Sequence, residues 1–276
     1  MLIDGHCLLF QMFYGMPARI LGKHGKPIQG TLGFVGALRK MLANTQPTHV
    51  AVIFDGEVHN PRTDLDADYK ANREDYSQMC EEDIPFSQLP DIYHALDFMC
   101  IAHTETADCE TDDVLAAYAQ AYGKDCEIIL GSQDSDFFQL ITKNVSVLRY
   151  RGDKSVMCNH AYIREKFGIE PARYAFFKSL TGDCSDNIKG IPGVGPKTAA
   201  ALVNQFGTPE NLLRNANQIK QPKLRESVLQ NADRLSLNLK LITLDGNATM
   251  PFLSEQMKYH GCAFTTNEIL QAIGIK

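Results

Sequence analysis

Residues 181–200, TGDCSDNIKGIPGVGPKTAA, hold the decisive pattern. Asp183 and Asp186 stand at the left end, three positions apart. To the right runs Gly190-Ile191-Pro192-Gly193-Val194-Gly195-Pro196-Lys197-Thr198. Glycines at this spacing allow a tight turn and let a backbone approach a ligand closely. Pro196 suits the first position of a helix, where a missing N–H costs nothing. The N–H groups of such a helix start carry partial positive charge and bind phosphate oxygens. Lys197 adds a full charge at the same place. A surface turn accounts for the glycines alone. It does not account for the two carboxylates attached to them.

Working outward, residues 1–9 read as a short buried strand with Asp4-Gly5 at its end. Sheets of α/β proteins place ligands at the carboxyl ends of their strands. Residues 30–43 carry Leu32, Val35, Leu38 and Leu42 at helical spacing. Residues 49–54 form a second buried strand that ends at Asp55-Gly56, and residues 127–131 a third, followed by Asp134 and Asp136. A lone strand-end Asp-Gly is a turn signal; the same arrangement repeated on parallel strands reads as one site. A further strand is expected at 145–148, and helices at 89–99, 161–167, 173–180 and 196–206. Residues 107–118 form another helix whose start holds Glu110, Asp112 and Asp113. The helix dipole favours acids in a first turn. Three in four positions repel one another unless a cation joins them.

Residues 62–89 are rich in charge. Tyr69-Lys70-Ala71-Asn72-Arg73 sets two cations beside an aromatic ring, and residues 74–83 are acidic, as in an exposed excursion. A solvated face is the commoner fate of such a Lys/Arg pair. Beyond residue 206 the chain reads as helical and more basic, with Lys220, Lys223, Arg225, Arg234 and Lys240, and it closes on a small packed helix.

The 276 residues suit one large α/β domain or a domain with an appendage. No apolar run is long enough to span a membrane, and Asp4 interrupts the first apolar run where a signal peptide would need continuity. The eight cysteines form no CxxC pair, so they read as free thiols in a reducing cytoplasm. A net charge of −6 argues against a nucleic-acid partner, unless many acids converge on bound cations.

Nine acids converge in this reading: Asp4, Asp55, Glu110, Asp112, Asp113, Asp134, Asp136, Asp183 and Asp186. Carboxylates without His or Cys suit magnesium or manganese. They exceed the needs of one octahedral ion, so two are inferred. Two ions roughly 4 Å apart hydrolyse phosphodiesters without a protein nucleophile. The 193–198 turn lacks the GxxxxGK spacing of a P-loop.

These motifs resemble those of the bacterial and phage 5′-nucleases, a family of DNA polymerase I 5′→3′ exonuclease domains and stand-alone flap endonucleases. The likeness runs over residues 1–244 and rests on Leu2-Ile3-Asp4-Gly5, the strand ending at Asp55, Tyr69 to Arg73, Glu110-Thr111-Asp112-Asp113, Asp134-Ser135-Asp136, and Gly182-Asp183 through Thr198. It implies a parallel-rich central sheet flanked by helices (a PIN-like core, residues 1–170) with a helical arch at about 60–90. It also implies a helix-hairpin-helix subdomain over 171–276. By the resemblance Asp4, Asp55, Glu110 and Asp112 surround a first Mg²⁺ or Mn²⁺ ion, Asp113 lies between the sites, and Asp134, Asp136, Asp183 and Asp186 serve the second. Lys70 and Arg73 take the place of cations that contact the scissile phosphate, and Asp112 is counted with them as catalytic. Carbonyls of Leu180, Thr181, Lys189, Ile191 and Val194 are placed to hold K⁺. Tyr69, Gly193, Val194, Gly195, Pro196, Lys197 and Thr198 are placed to meet DNA.

Three positions depart from the family pattern: Gln11 replaces an Arg, Gln133 a Gly, and the arch lacks its Pro-Pro-x-Pro run. The function so implied is structure-specific 5′-nuclease cutting of flaps and 5′ ends in replication or repair, by a monomer in the bacterial or phage-infected cytoplasm, near the nucleoid. Two alternatives remain open: a DNA-junction binding protein with little catalysis, and an RNase acting on RNA–DNA hybrids. Exonuclease against flap preference, primer chemistry and protein partners are not legible.

Overall fold

Alternation along the central strands is apolar on both faces, and this builds a core on each side of one sheet. The computed structural model describes residues 1–276 except 24, 58, 59, 74, 75, 77 and 78. Strands β1 (Leu2–Asp4), β2 (Ala51–Phe54), β3 (Ala102–Glu105), β4 (Ile128–Gly131) and β5 (Val145–Arg149) run parallel. Strand β6 (Val156–Cys158) adds an antiparallel edge. Leu2, Ala51, Ile53, Leu130 and Val147 are buried on one face, with Leu115 and Tyr118 of a helix over Thr111–Tyr122. Ile3, Val52, Phe54 and Leu148 are buried on the other, against helices Gly5–Gly15, Gln29–Thr45 and Leu89–Phe98. Strands buried on both faces read as continuous apolar runs, which is why they were legible.

In chain order the helices are α1 (Gly5–Gly15), α2 (Gln29–Thr45), α3 (Pro61–Leu65), α4 (Leu89–Phe98), α5 (Thr111–Tyr122) and α6 (His160–Phe167). Then follow α7 (Tyr174–Thr181), a two-strand hairpin of β7 (Gly182–Asp183) and β8 (Ile188–Lys189), α8 (Pro196–Phe206), α9 (Pro209–Arg214), α10 (Pro222–Gln230), α11 (Ala232–Ile242) and α12 (Thr266–Ala272). The expected α/β class, parallel-rich sheet and helical C-terminal part are all present.

The strand order is β3-β2-β1-β4-β5-β6. The chain leaves β1 on one side and returns to its other side at β4. Sheets of this kind bind ligands in the crevice where the order reverses. Ile3 lies opposite both Val52 and Gly131. That register brings Asp4, Asp55 and residues 132–136 out at one end.

The first strand is shorter than its apolar run, because Asp4 accepts the Cys7 N–H at 2.9 Å and caps α1. Asp is among the best caps, and this local bond ends the strand. A Cβ on Gly5 would sit 2.4 Å from the Phe54 ring, so only glycine lets α1 start against β2. Strands β3 and β6 were missed; Ala-His-Thr-Glu and a pair of half-exposed edge residues carry little apolar signal. Between residues 60 and 90 the described backbone holds α3, turns, and 3-10 segments at Glu81–Asp83 and Pro85–Gln88. Four residues of the expected acidic excursion (74, 75, 77 and 78) lie outside the described residues.

Asn238 of α11 is buried and donates through Nδ2 to the Ser179 and Lys189 carbonyls, each at 2.9 Å. Ser179 lies in the last turn of α7, where carbonyls lack helical partners. One side chain therefore fixes α7 and β8 together. The chain then returns to the first layer: the Val50 N–H donates to the Met257 carbonyl at 2.8 Å, and Ile269 of α12 joins the core beside α2. No described helix is long and apolar enough to cross a membrane. Replacement of Asn238 by Leu strips both carbonyls of their donor. Urea unfolding should show a loss of about 1–3 kcal/mol.

Candidate active site

The acids reach one end of the sheet from five elements. Asp4 ends β1; its Oδ2 accepts the Ser132 hydroxyl at 2.9 Å, across the β1–β4 pairing. Asp55 follows β2 and accepts the Thr111 N–H at 2.8 Å, which ties it to the start of α5. Glu110 and Asp112 sit at that helix start. Asp134 follows β4, and its Oδ1 accepts the Asp136 N–H at 2.8 Å. Asp183 and Asp186 flank the β7–β8 turn.

Their electrostatics separate them. Burial first, then the Asp55 charge, pushes the Asp4 carboxyl up to about 7. Burial raises Asp136 to about 7 as well, against the pull of Lys178. Asp112 is pushed well above the usual range by burial, then by Asp134 and Asp4. Asp186 is raised by burial, with Lys70 opposing. Asp55 moves the other way: burial works to raise it, but His6, with Nδ1 at 3.7 Å from its Oδ2, and the Thr111 N–H outweigh that and hold it low. Asp134 acts on Asp4, Asp112, Asp136 and Asp186 alike, so it joins the two halves of the cluster.

Asp136, Asp183 and Asp186 each bring a carboxylate oxygen within 4.8 Å of the other two. Among the described residues no other trio of His, Cys, Asp or Glu is that close. Lys178 of α7 is buried here, and its Nζ bonds both Asp136 and Asp183. Burial works to lower the Lys178 ammonium, but Asp136, Asp134 and Asp183 outweigh it and keep it charged. Asp183 is held below the usual carboxylate range; burial opposes this, and Lys178 and Ser185 prevail.

Asp113 faces elsewhere. Buried Arg62 of α3 grips it with a fork of two bonds, 2.8 and 2.7 Å, and the Asp245 N–H fills the remaining space at 2.8 Å. The same guanidinium reaches Glu110 at 2.6 Å. Glu110 also accepts from the Tyr69 hydroxyl at 3.3 Å and from Lys70 Nζ. Tyr69 is buried against Ile188, Leu241 and Ile242, so its ring faces the core.

Lys70 has a left-handed backbone (φ 56°) and donates its N–H to the Asp186 carbonyl at 3.0 Å. Asn72 Nδ2 donates to the Cys184 carbonyl at 3.0 Å, and Asn187 Nδ2 to the Asp68 carbonyl at 2.7 Å. These bonds stitch residues 68–72 onto residues 184–187. Arg73 is exposed, with Nη2 at 3.6 Å from Asp186. Across the hairpin, Gly193, Gly195, Pro196 and Lys197 are exposed, Thr198 is half-buried and Val194 is buried. Pro196 opens α8, as its position predicts. The Leu180 and Ile191 carbonyls accept backbone bonds at 2.8 and 3.0 Å, and Lys189 accepts from Asn238.

Lys178 and Arg62 escaped the sequence reading. A lone cation between Phe177 and Ser179 in an apolar helix was the available signal for Lys178, since a buried charge needs a partner. Arg62 gave none, because the Leu241 and Thr243 carbonyls it bonds are far along the chain.

Two family descriptions match the chain: 5′-3′ exonuclease, N-terminal resolvase-like domain, over residues 1–168, and 5′-3′ exonuclease, C-terminal SAM fold, over residues 169–264. The chain belongs to the 5′-3′ exonuclease family. It is 37% identical over 252 residues to DNA polymerase I of Rhizobium leguminosarum, covering 88% of this chain and 24% of that protein. DNA polymerase I of Bacillus subtilis (strain 168) is 31% identical over 94% of this chain and 29% of its own length. The chain thus spans about a quarter of the curated relatives it matches. The fold is that of T5 5′-exonuclease with bound zinc (TM-score 0.73, 19% identity, 99% of this chain and 98% of that one). It is also that of bacteriophage T5 flap endonuclease in a complex with DNA and metal ions (TM-score 0.71, 21% identity, 99% and 98%).

The raised Asp4 carboxyl makes a stability prediction for the protein in EDTA. Between about pH 4 and pH 7 the folded state binds the extra proton, so stability falls as pH rises through that window. Asp4→Asn keeps the cap acceptor and removes the charge. Its melting temperature should exceed that of the unaltered protein at pH 8, and the gain should shrink as pH falls below about 7.

Proposed function

We propose that the protein is a structure-specific 5′-nuclease that hydrolyses DNA phosphodiester bonds at flaps and 5′ ends. The observation that carries this reading is the joining of two chemistries by the stitched loops: acids from β1, β2, α5, β4 and the β7–β8 turn, and Lys70 with Arg73 beside Asp186. The donor set fits hard divalent cations, being all carboxylate oxygen. Lys178 on Asp136 and Asp183 and exposed Arg73 at 3.6 Å from Asp186 leave the three carboxylates with excess negative charge for a cation to neutralise. Those three residues, with Asp134, would hold one ion. Asp4, Asp55, Glu110 and Asp112 would hold another. Mg²⁺ or Mn²⁺ bound there supplies Lewis acidity and lowers the pKa of water, the nucleophile.

The protein's own groups do the rest. Lys70, now paired with Glu110, and exposed Arg73, beside Asp186, would contact the scissile phosphate. Preorganised cations of this kind stabilise charge that develops in the transition state. Exposed Gly193, Gly195 and Lys197 and the start of α8 would face a duplex phosphate. A K⁺ ion held by the Leu180, Thr181, Lys189, Ile191 and Val194 carbonyls would add positive charge there. Leu180, Lys189 and Ile191 already accept bonds from Ile191, Asn238 and Val194, and a carbonyl oxygen has two lone pairs.

A 5′-labelled flap duplex incubated with Mg²⁺ tests the reading. The unaltered chain should release the flap, and Asp112→Asn should cut at least about 100-fold more slowly. Equal rates for the two would reject the assignment of the acids.

A further inference from the structure

The site has a second flank, on the β5 side, that the reading above leaves unused. Because β4 and β5 are parallel neighbours, residues after Arg149 emerge at the same end of the sheet as Asp4 and Asp134. There three polar side chains are fastened in series. Gln11 Nε2 of α1 donates to the Tyr150 carbonyl at 2.6 Å. Gln133 Nε2 donates to the same carbonyl at 2.7 Å and reaches Gln11 Oε1 at 3.3 Å. Gln133 Oε1 in turn accepts from Arg151 Nε at 3.4 Å.

Gln133 immediately precedes Asp134 in the chain, and its N–H donates to Cys7 Sγ at 3.2 Å, so its backbone is anchored beside the acids. The series therefore runs from the acid cluster outward to a guanidinium. Arg151 is exposed, and among the described residues its terminal nitrogens have no ion pair and no hydrogen bond. Lys154 offsets Asp153 in the same turn. The floor between is concave, lined by Gln11, Met12, Met16, Gln133, Tyr150 and Arg151.

We propose that Arg151, oriented by Gln133, binds a backbone phosphate of the DNA strand lying in the acid cleft. The geometry favours a phosphate over a base. A guanidinium tied down through Nε keeps its two outer nitrogens free as a planar fork, which matches two phosphate oxygens. The amide shelf beneath directs three of its N–H donors inward, to the Tyr150 carbonyl and Gln11 Oε1, and away from a strand above it. This inference rests on the nucleic-acid reading of the same cleft.

The test uses a fluorescent 5′-flap duplex, with binding followed by anisotropy in EDTA from 50 to 200 mM KCl, and cutting of the same duplex followed in Mg²⁺. For Arg151→Ala the slope of log affinity against log salt should be shallower by about 0.9 if the phosphate is in duplex, or about 0.7 if it is single-stranded. Across that salt range the unaltered chain then loses about three-fold more affinity than the variant. Arg151→Ala should also raise KM in Mg²⁺ by more than it lowers kcat. Arg151→Lys should keep the slope, because it keeps the charge. Gln133→Ala should weaken binding while keeping the slope, because it frees the guanidinium without removing it. An Arg151→Ala slope and KM equal to those of the unaltered chain overturn the inference and leave the nuclease reading standing. An unaltered chain that neither binds nor cuts the duplex overturns both.

Discussion

Repulsion among buried carboxylates is the constraint that the rest of the structure answers. Asp4, Asp112, Asp136 and Asp186 are all pushed upward by burial and by neighbouring carboxylates, Asp134 among them in each case. Hydrophobic burial on both faces of the sheet fixes where the strand ends fall, and so forces these groups into company. The surrounding elements respond by supplying positive charge: Lys178 from α7, Lys70 from the segment after α3, and Arg62 from α3 itself. Such sites are maintained at the expense of stability elsewhere in the fold.

The cations answer in different ways, and the difference sorts the acids. Arg62 has a planar fork; it engages Asp113 through both oxygens and spends its other donors on Glu110 and on the Leu241 and Thr243 carbonyls. Asp113 is thereby built into the joint between α3, α5 and the end of α11. Lysine is a point charge on a flexible stem. Lys178 sits between two carboxylates and satisfies neither fully, while Lys70 meets a Glu110 that Arg62 and Tyr69 also claim. Asp113, gripped on both oxygens by Arg62 and capped by the Asp245 N–H, is turned away from the other acids.

Much of this was legible in the residues. Strands β1, β2 and β4 announce themselves because both of their faces are buried, and each is followed by an acid. The start of α8 was fixed by Pro196 after glycine. Side-chain direction was not legible: Asp113 is adjacent to Asp112, yet one helical step of about 100° turns it toward Arg62. Tyr69 shares a motif with Lys70 and Arg73, yet its ring is core. The long-range partners of Arg62 and Asn238, separated from them by 48 to 181 residues along the chain, follow from tertiary packing and leave no local trace. The polar edge strand β3 was hidden for the opposite reason, since a half-exposed strand needs few apolar residues.

The stitching of residues 68–72 to residues 184–187 has a mechanical consequence. Three hydrogen bonds, from Lys70, Asn72 and Asn187, cross between segments that lie more than a hundred residues apart in the chain. They make the base of the excursion and the β7–β8 turn a single rigid body. A tilt of that turn against the sheet carries Lys70 and Arg73 along with Asp183 and Asp186. A displacement of either segment is thus passed to the other, which keeps the spacing between these cations and these acids.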